Sequence, residues 1–276
     1  MQLFAKYATN QRQKTRKGEP IPYAVSHSGM ILYGHRGAKG EAPENTLTGF
    51  AYAQGIGVRD FEFDVRLSAD HQLVVLHDAT VDRTTNTTAK RAAADLTYAA
   101  LSILDARAEF SDWTQPCVIP TLAEVLTEIG DAAHMEIEIK RDEPERLEIL
   151  AAKLVELLEL LPQKERLTIT SFDTNALVIM SHIAPHFSRG YIGAYDTPAF
   201  LQTALELECT QAGIPLMTGS KEMVREAQKN GLRVTGWPGD SPEQLQTLAD
   251  WGVEAITSNY PSIALPFLRE RGLLDE

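Results

Sequence analysis

From position 30 onward, short β-rich apolar runs alternate with longer segments of helical period, and this alternation constrains the fold more than any other feature. Strands separated by helices pair in parallel through βαβ crossovers. The runs predict strands over 30–34, 60–65, 135–140, 167–172, 189–194, 205–210, 232–237 and 255–259. Between them, 44–55, 144–161, 174–183, 221–230 and 242–251 carry apolar residues at three- and four-residue steps, and 121–129 reads as a further helix. Gly231 and Gly252 stand where a helix-ending glycine precedes a strand. Eight parallel strands predict an α/β fold, closed as a TIM-like (β/α)8 barrel, and the 276 residues suit the roughly 250 such a barrel uses. One barrel domain over 30–276 is therefore expected. After the second strand the chain turns through 68–70 and runs back along 73–76. The stretch 79–120 then has no strong period and reads as a small insertion, on the side of the barrel where substrate loops belong.

The first 29 residues are polar and basic (Lys6, Arg12, Lys14, Arg16, Lys17) and lack the apolar stretch of a secretory signal. They are expected to form a poorly ordered extension, with Met30 as an alternative start and the cytoplasm as the location. No run approaches the roughly 18 apolar residues of a membrane span, so stable membrane insertion is not expected. A formal charge of −12 argues against a nucleic-acid partner, whose phosphates need Lys and Arg. Cys117 and Cys209 are far apart and form no Cys-x-x-Cys pattern, which predicts two buried free thiols. Nothing in the pattern fixes an oligomeric state.

Chemistry concentrates at strand ends. In Phe61-Glu62-Phe63-Asp64-Val65 the two acids are two apart, so both point to one face of a strand while Phe61, Phe63 and Val65 point to the other. Two carboxylates facing a barrel interior are strongly disfavoured without a cation. The third strand repeats the pattern in Glu136-Ile137-Glu138-Ile139-Lys140, and either Glu136 or Glu138 can complete a set of three. Such a set suits a hard divalent cation, Mg²⁺ or Ca²⁺, and does not suit zinc. His35 closes the first strand and His77 closes the returning segment, flanking the acids. Imidazoles hold and release protons near neutrality, and phosphodiester hydrolysis needs a base and an acid. Arg36 and Lys140 add fixed positive charge, able to bind a phosphate while also countering the carboxylates.

In order, His35-Arg36-Gly37, Pro43-Glu44-Asn45-Thr46, Glu62-Phe63-Asp64-Val65, Val74-Val75-Leu76-His77-Asp78 and Asp82-Arg83-Thr84-Thr85 closely resemble the glycerophosphodiester phosphodiesterase family. The likeness continues through Ile119-Pro120-Thr121-Leu122, Ile137-Glu138-Ile139-Lys140, Thr170-Ser171-Phe172, Trp237 and Asn259-Tyr260-Pro261. The resemblance implies a TIM-like barrel that hydrolyses a small-molecule glycerophosphodiester to sn-glycerol 3-phosphate and an alcohol. It implies His35 and His77 as the acid/base pair, and Glu62, Asp64 and Glu138 as ligands of a divalent cation. It further implies Arg36 and Lys140 on the phosphate and Trp237 in the substrate pocket. The matching fragment puts the third ligand two residues before Lys140, which selects Glu138 over Glu136. One departure stands out: Trp237-Pro238-Gly239-Asp240 replaces the family's usual Trp-Thr-Val-Asn, and Pro238 and Gly239 change the backbone of a substrate loop. Two rival readings are a barrel phospholipase, which would need an apolar patch at its mouth, and a non-catalytic phosphodiester sensor. The full set of two His, three carboxylates, Arg36 and Lys140 speaks against the sensor.

Overall fold

The computed structural model describes residues 29–193 and 199–274. Residues 1–28, nearly all of the expected extension, and residue 194, the expected end of the fifth strand, lie outside the described residues. In chain order the elements begin β1 (Ile31–His35), α1 (Leu47–Gly55), β2 (Asp60–Leu67), β3 (Leu73–Val75), α2 (Tyr98–Leu101), α3 (Leu122–Glu128), β4 (His134–Ile139) and α4 (Pro144–Leu158). They continue β5 (Leu167–Ser171), α5 (Thr174–Ile183), β6 (Ser188–Ile192), α6 (Phe200–Glu206), β7 (Gln211–Pro215), α7 (Lys221–Lys229), β8 (Arg233–Trp237), α8 (Pro242–Trp251), β9 (Ala255–Ser258) and α9 (Pro261–Glu270).

The strands run in the order β1-β9-β8-β7-β6-β5-β4-β2, and β1 also pairs with β2, so the parallel sheet closes on itself as a barrel. β3 adds to β2 as an antiparallel flap, with Val65 opposite Val75. The predicted barrel and the returning segment are both present. The expected sixth strand at 205–210 is not: helix α6 covers its beginning, and the strand is β7. α6 buries Phe200 and Ala204, whereas Gln211-Ala212-Gly213-Ile214-Pro215 is fully buried but poor in the β-branched residues that mark a strand.

Period-two patterning builds the wall. Phe61 and Phe63 point outward and meet the ring of Phe50 on α1 edge-on, at 5.7 and 5.8 Å. Burying each ring removes enough apolar surface to contribute about 1.5–3 kcal/mol. The alternate residues of the same strand, Glu62 and Asp64, are buried inside the barrel. Helices start on side-chain caps in the loops that follow strands: Thr46 for α1, Asp173 for α5, Ser220 for α7 and Ser241 for α8. The insertion carries its own small core of Val74, Leu76, Val81, Ala93, Leu96, Leu101 and Ile119. Its irregular backbone is therefore anchored around the barrel mouth. Both cysteines are buried and free. Among the described residues no helix is long and apolar enough to cross a membrane.

Candidate active site

The C-terminal end of β1 turns sharply through His35-Arg36-Gly37. Arg36 has φ +52° and Gly37 φ +89°, and a non-glycine residue in this left-handed region is held there at a cost. Two hydrogen bonds hold it: Arg36 N–H to Glu62 O at 2.7 Å, and Asn45 N–H to Arg36 O at 3.0 Å. Gly34 is required just before the turn, since a Cβ there would lie 2.3 Å from Gly37 O. The turn thus fixes two side chains over the barrel interior.

Beneath it, β2 and β4 pair with Glu62 beside Glu136 and Asp64 beside Glu138. One oxygen from each of Glu62, Asp64 and Glu138 lies within 4.8 Å of the others. Glu136 sits one layer deeper and is used up: its Oε1 accepts from Gln211 Nε2 at 2.6 Å and Thr235 Oγ1 at 2.7 Å. Glu62 Oε2 and Asp64 Oδ1 are buried without a hydrogen-bond partner. Buried carboxylate oxygens that accept no hydrogen bond are expensive unless positive charge meets them; Lys140 Nζ lies 3.3 Å from Asp64 Oδ1, and the all-oxygen set also suits a hard divalent ion. The residues present therefore fit such an ion.

The electrostatics agree. Burial, with Asp64 close by, pushes Glu62 well above the usual carboxylate range. Burial and Asp64 also push Glu138 up to about 7, against the pull of Lys140. For Asp64 burial works upward too, but Arg36, Lys140 and the Asn45 amide outweigh it and hold the carboxyl well below the usual range. Asn45 Nδ2 donates to Asp64 Oδ2 at 2.9 Å. Arg36 Nε lies 3.1 Å from Asp64 Oδ2, and its Nη1 donates to Glu44 at 3.0 Å. Lys140 Nζ lies 2.6 Å from Glu138 and 3.3 Å from Asp64. Both cations are thus beside the acidic cluster, as expected, and both are paired to it.

The two histidines flank the cluster. His35 Nδ1 is 2.5 Å from Asn259 Oδ1, and Nε2 is 3.5 Å from Glu62 Oε2. Burial, and then the Arg36 charge, push His35 down to about 3. His77 Nδ1 is 2.6 Å from Asp78 Oδ1, and burial lowers this ring as well. Arg66 fixes the backbone beneath His77, donating from Nε and Nη2 to His77 O at 3.0 and 2.7 Å. Arg83 binds Asp78 through Nε and Nη2 and Glu44 through both Nη atoms. An unbroken ionic chain therefore runs from His77 through Asp78, Arg83 and Glu44 to Arg36. Trp237 ends β8 half-buried and meets Phe172 edge-on at 6.4 Å, while Lys140 Nζ lies 5.9 Å above the Phe172 ring.

Of the eight residues expected at the site, His35 and Trp237 end β1 and β8, Glu138 lies one residue before the end of β4, Arg36, His77 and Lys140 follow strand ends, and Glu62 and Asp64 lie within β2. No role follows from sequence for Asn45, Glu44, Asp78, Arg83, Asn259 or Asp240: Glu44, Asn45, Asp78 and Asn259 contact the expected residues, and Arg83 and Asp240 contact those partners in turn. Strand register is the signal that finds Asn259: Gly34 pairs with Ser258, so the following residues His35 and Asn259 are side by side.

Residues 35–263 match the profile of the glycerophosphoryl diester phosphodiesterase family. The chain is 31% identical over 243 residues to the glycerophosphodiester phosphodiesterase of Caldanaerobacter subterraneus subsp. tengcongensis, a match covering 88% of this chain and 99% of that one. It is 29% identical over 255 residues to that of Bacillus subtilis, covering 87% and 86%. Among solved structures, a phosphodiesterase of Oleispira antarctica in complex with the product sn-glycerol 3-phosphate aligns with a TM-score of 0.80 at 28% identity, covering 87% of this chain and 97% of that one.

Proposed function

This chain belongs to the glycerophosphoryl diester phosphodiesterase family, and on that premise we propose that it cleaves its substrate between the acidic cluster and the two histidines at the barrel mouth. It is a glycerophosphodiester phosphodiesterase. The products in this reading are sn-glycerol 3-phosphate and an alcohol. The observation that carries it is the convergence of Glu62, Asp64 and Glu138 within 4.8 Å, two of their buried oxygens without a hydrogen bond, between His35 and His77.

Glu62, Asp64 and Glu138 would hold a divalent cation, Mg²⁺ or Ca²⁺, which when bound supplies positive charge against the phosphoryl oxygens. Arg36 and Lys140 add charge on the same side. With all three carboxyls ionised, as ligands of a cation would be, they outnumber Arg36 and Lys140 by one negative charge. A divalent ion turns that into one positive charge, matched to a phosphodiester monoanion. His35 and His77 handle the protons: one takes a proton from the attacking oxygen, the other gives one to the departing alcohol. Each ring has its Nδ1 tied, to Asn259 or to Asp78, so Nε2 is the working atom. The Asp78 carboxylate favours the charged form of His77, whereas Asn259 offers His35 a neutral oxygen. Trp237 and Phe172 line the substrate pocket. The test is product identity. Phosphorus NMR of a glycerophosphodiester digest should show glycerol phosphate appearing with the free alcohol, whereas a phosphorylated alcohol with free glycerol would refute the reading.

A further inference from the structure

The loops after β8 and β9 meet at one carboxylate. Asp240 Oδ1 accepts the backbone N–H of Asn259 at 2.7 Å, and Oδ2 accepts Asn259 Nδ2 at 2.7 Å. The Ser258 hydroxyl adds a long contact of 3.5 Å to Oδ1. Asp240 is itself anchored, its N–H donating to Gln244 Oε1 at 2.8 Å on α8. Gly239 lets this loop lie against β9, because a Cβ there would sit 2.4 Å from Ile256 Cγ2. The Pro238-Gly239-Asp240 departure from the family pattern thus brings a carboxylate beside Asn259.

The consequence follows from donor and acceptor counting. An ionised carboxylate accepts and never donates, so the Asn259 amide turns its NH₂ toward Asp240 and its oxygen away. That oxygen faces His35 Nδ1 at 2.5 Å. A carbonyl oxygen cannot donate, so His35 carries its proton on Nδ1 and leaves a lone pair on Nε2, on the side of the acidic cluster. The opposite arrangement has its own attraction. With the amide flipped, its NH₂ would donate to Nδ1, and an Nε2–H would point at Glu62, 3.5 Å away. In that state Nε2 has no lone pair with which to accept a proton. Asp240 decides between the two.

We propose that Asp240 is a positioning residue that, acting through the Asn259 amide, fixes His35 as the Nδ1–H tautomer with Nε2 free toward the site. The consequence for catalysis rests on the reading of His35 as a proton-handling residue; the tautomer itself does not. The test is nitrogen-15 NMR of the full chain labelled at histidine, with and without Mg²⁺, the His35 signals assigned by their loss in His35→Gln. The wild type should show Nδ1 protonated. Asp240→Asn should flip the amide, move the proton to Nε2 and lower kcat by up to about 10⁴-fold, the loss a wrong tautomer causes in a Ser-His-Asp protease, with KM and the melting temperature little changed. The double variant Asp240→Asn with Asn259→Asp reverses the polarity of the pair and gives Nδ1–H an acceptor again. It should restore the Nδ1–H signal and most of kcat. Retention of Nδ1–H in Asp240→Asn, or failure of the double variant to restore it, would overturn the proposal. A tautomer that changes while kcat does not would uphold the relay and instead remove His35 from the proton chemistry.

Discussion

His35 and His77 share one design, a ring with Nδ1 tethered and Nε2 turned to the site, but their tethers differ in charge. Replacing either with Ala should lower kcat by about 10²–10⁴ while circular dichroism and the melting temperature hold. If the two act as one acid/base unit, the double variant should be far less than multiplicatively impaired. A loss equal to the product of the single losses would count against a joint role. The sequence was most informative where a charged residue alternates with apolar ones along a strand. Glu62 and Asp64 could be read from their two-residue spacing within an apolar strand. Asn45, Arg83, Asn259 and Asp240 could not, because each serves a neighbour brought to it by the fold, and no local period marks that service. Strand period alone left Glu136 and Glu138 open, and the family resemblance, not the alternation, selected Glu138. Both alternate correctly along β4, and the partners Gln211 and Thr235 give the physical reason, since Glu136 accepts from them.

The elements deliver these groups through strand ends and the turns after them. The tightest is the β1 turn, where the His35 and Arg36 backbone packs against β2 and the Asn45 loop. Gly34→Ala would drive a methyl into Gly37 O at 2.3 Å, and backbone cannot move aside as a flexible side chain can. We expect this variant to lose about 1–3 kcal/mol in urea denaturation and most of its activity, since the turn carries both a histidine and an arginine. Wild-type kcat in Gly34→Ala would mean that the turn geometry does not matter. Element boundaries were legible where chemistry punctuates them: α5 and α8 begin and end where the periodicity predicts, with Asp173, Ser241 and Gly252 as caps. β7 was missed because Gln211, Ala212, Gly213 and Pro215 form a strand through burial on all sides rather than through propensity. The apolar positions of α6, just upstream, imitated a strand in its place.

For the whole molecule, closing a barrel around an acidic cluster makes stability depend on pH and metal together. Glu138, raised to about 7, and Glu62, raised well above its ordinary range, bind protons more tightly folded than unfolded. Their contribution is complete below about pH 4.5 and is lost as pH rises through their folded values. His35, lowered to about 3, acts oppositely: its contribution is present above 6.5 and lost as pH falls. Between 4.5 and 6.5 the two trends offset, and above 6.5 only the carboxyl term remains. Metal-free protein in EDTA should therefore melt at a lower temperature at pH 8 than at pH 6.5, and saturating Mg²⁺ should abolish the difference, since cation binding strengthens as the ligands ionise. Equal melting temperatures at the two pH values in EDTA would contradict this. At this scale the βαβ alternation was enough to anticipate the closed barrel, because eight parallel strands leave few other ways to cover both faces.

If Glu62, Asp64 and Glu138 hold the divalent cation on which hydrolysis depends, bound ion and activity must rise and fall together. Metal-stripped protein titrated with Mg²⁺ or Ca²⁺, with bound ion and release of sn-glycerol 3-phosphate followed in the same samples, tests it most directly. One functional ion per chain is expected, with activity rising in proportion to occupancy and both lost in folded Asp64→Ala and Glu138→Ala. Full activity in excess EDTA, with no ion found by elemental analysis, would contradict it.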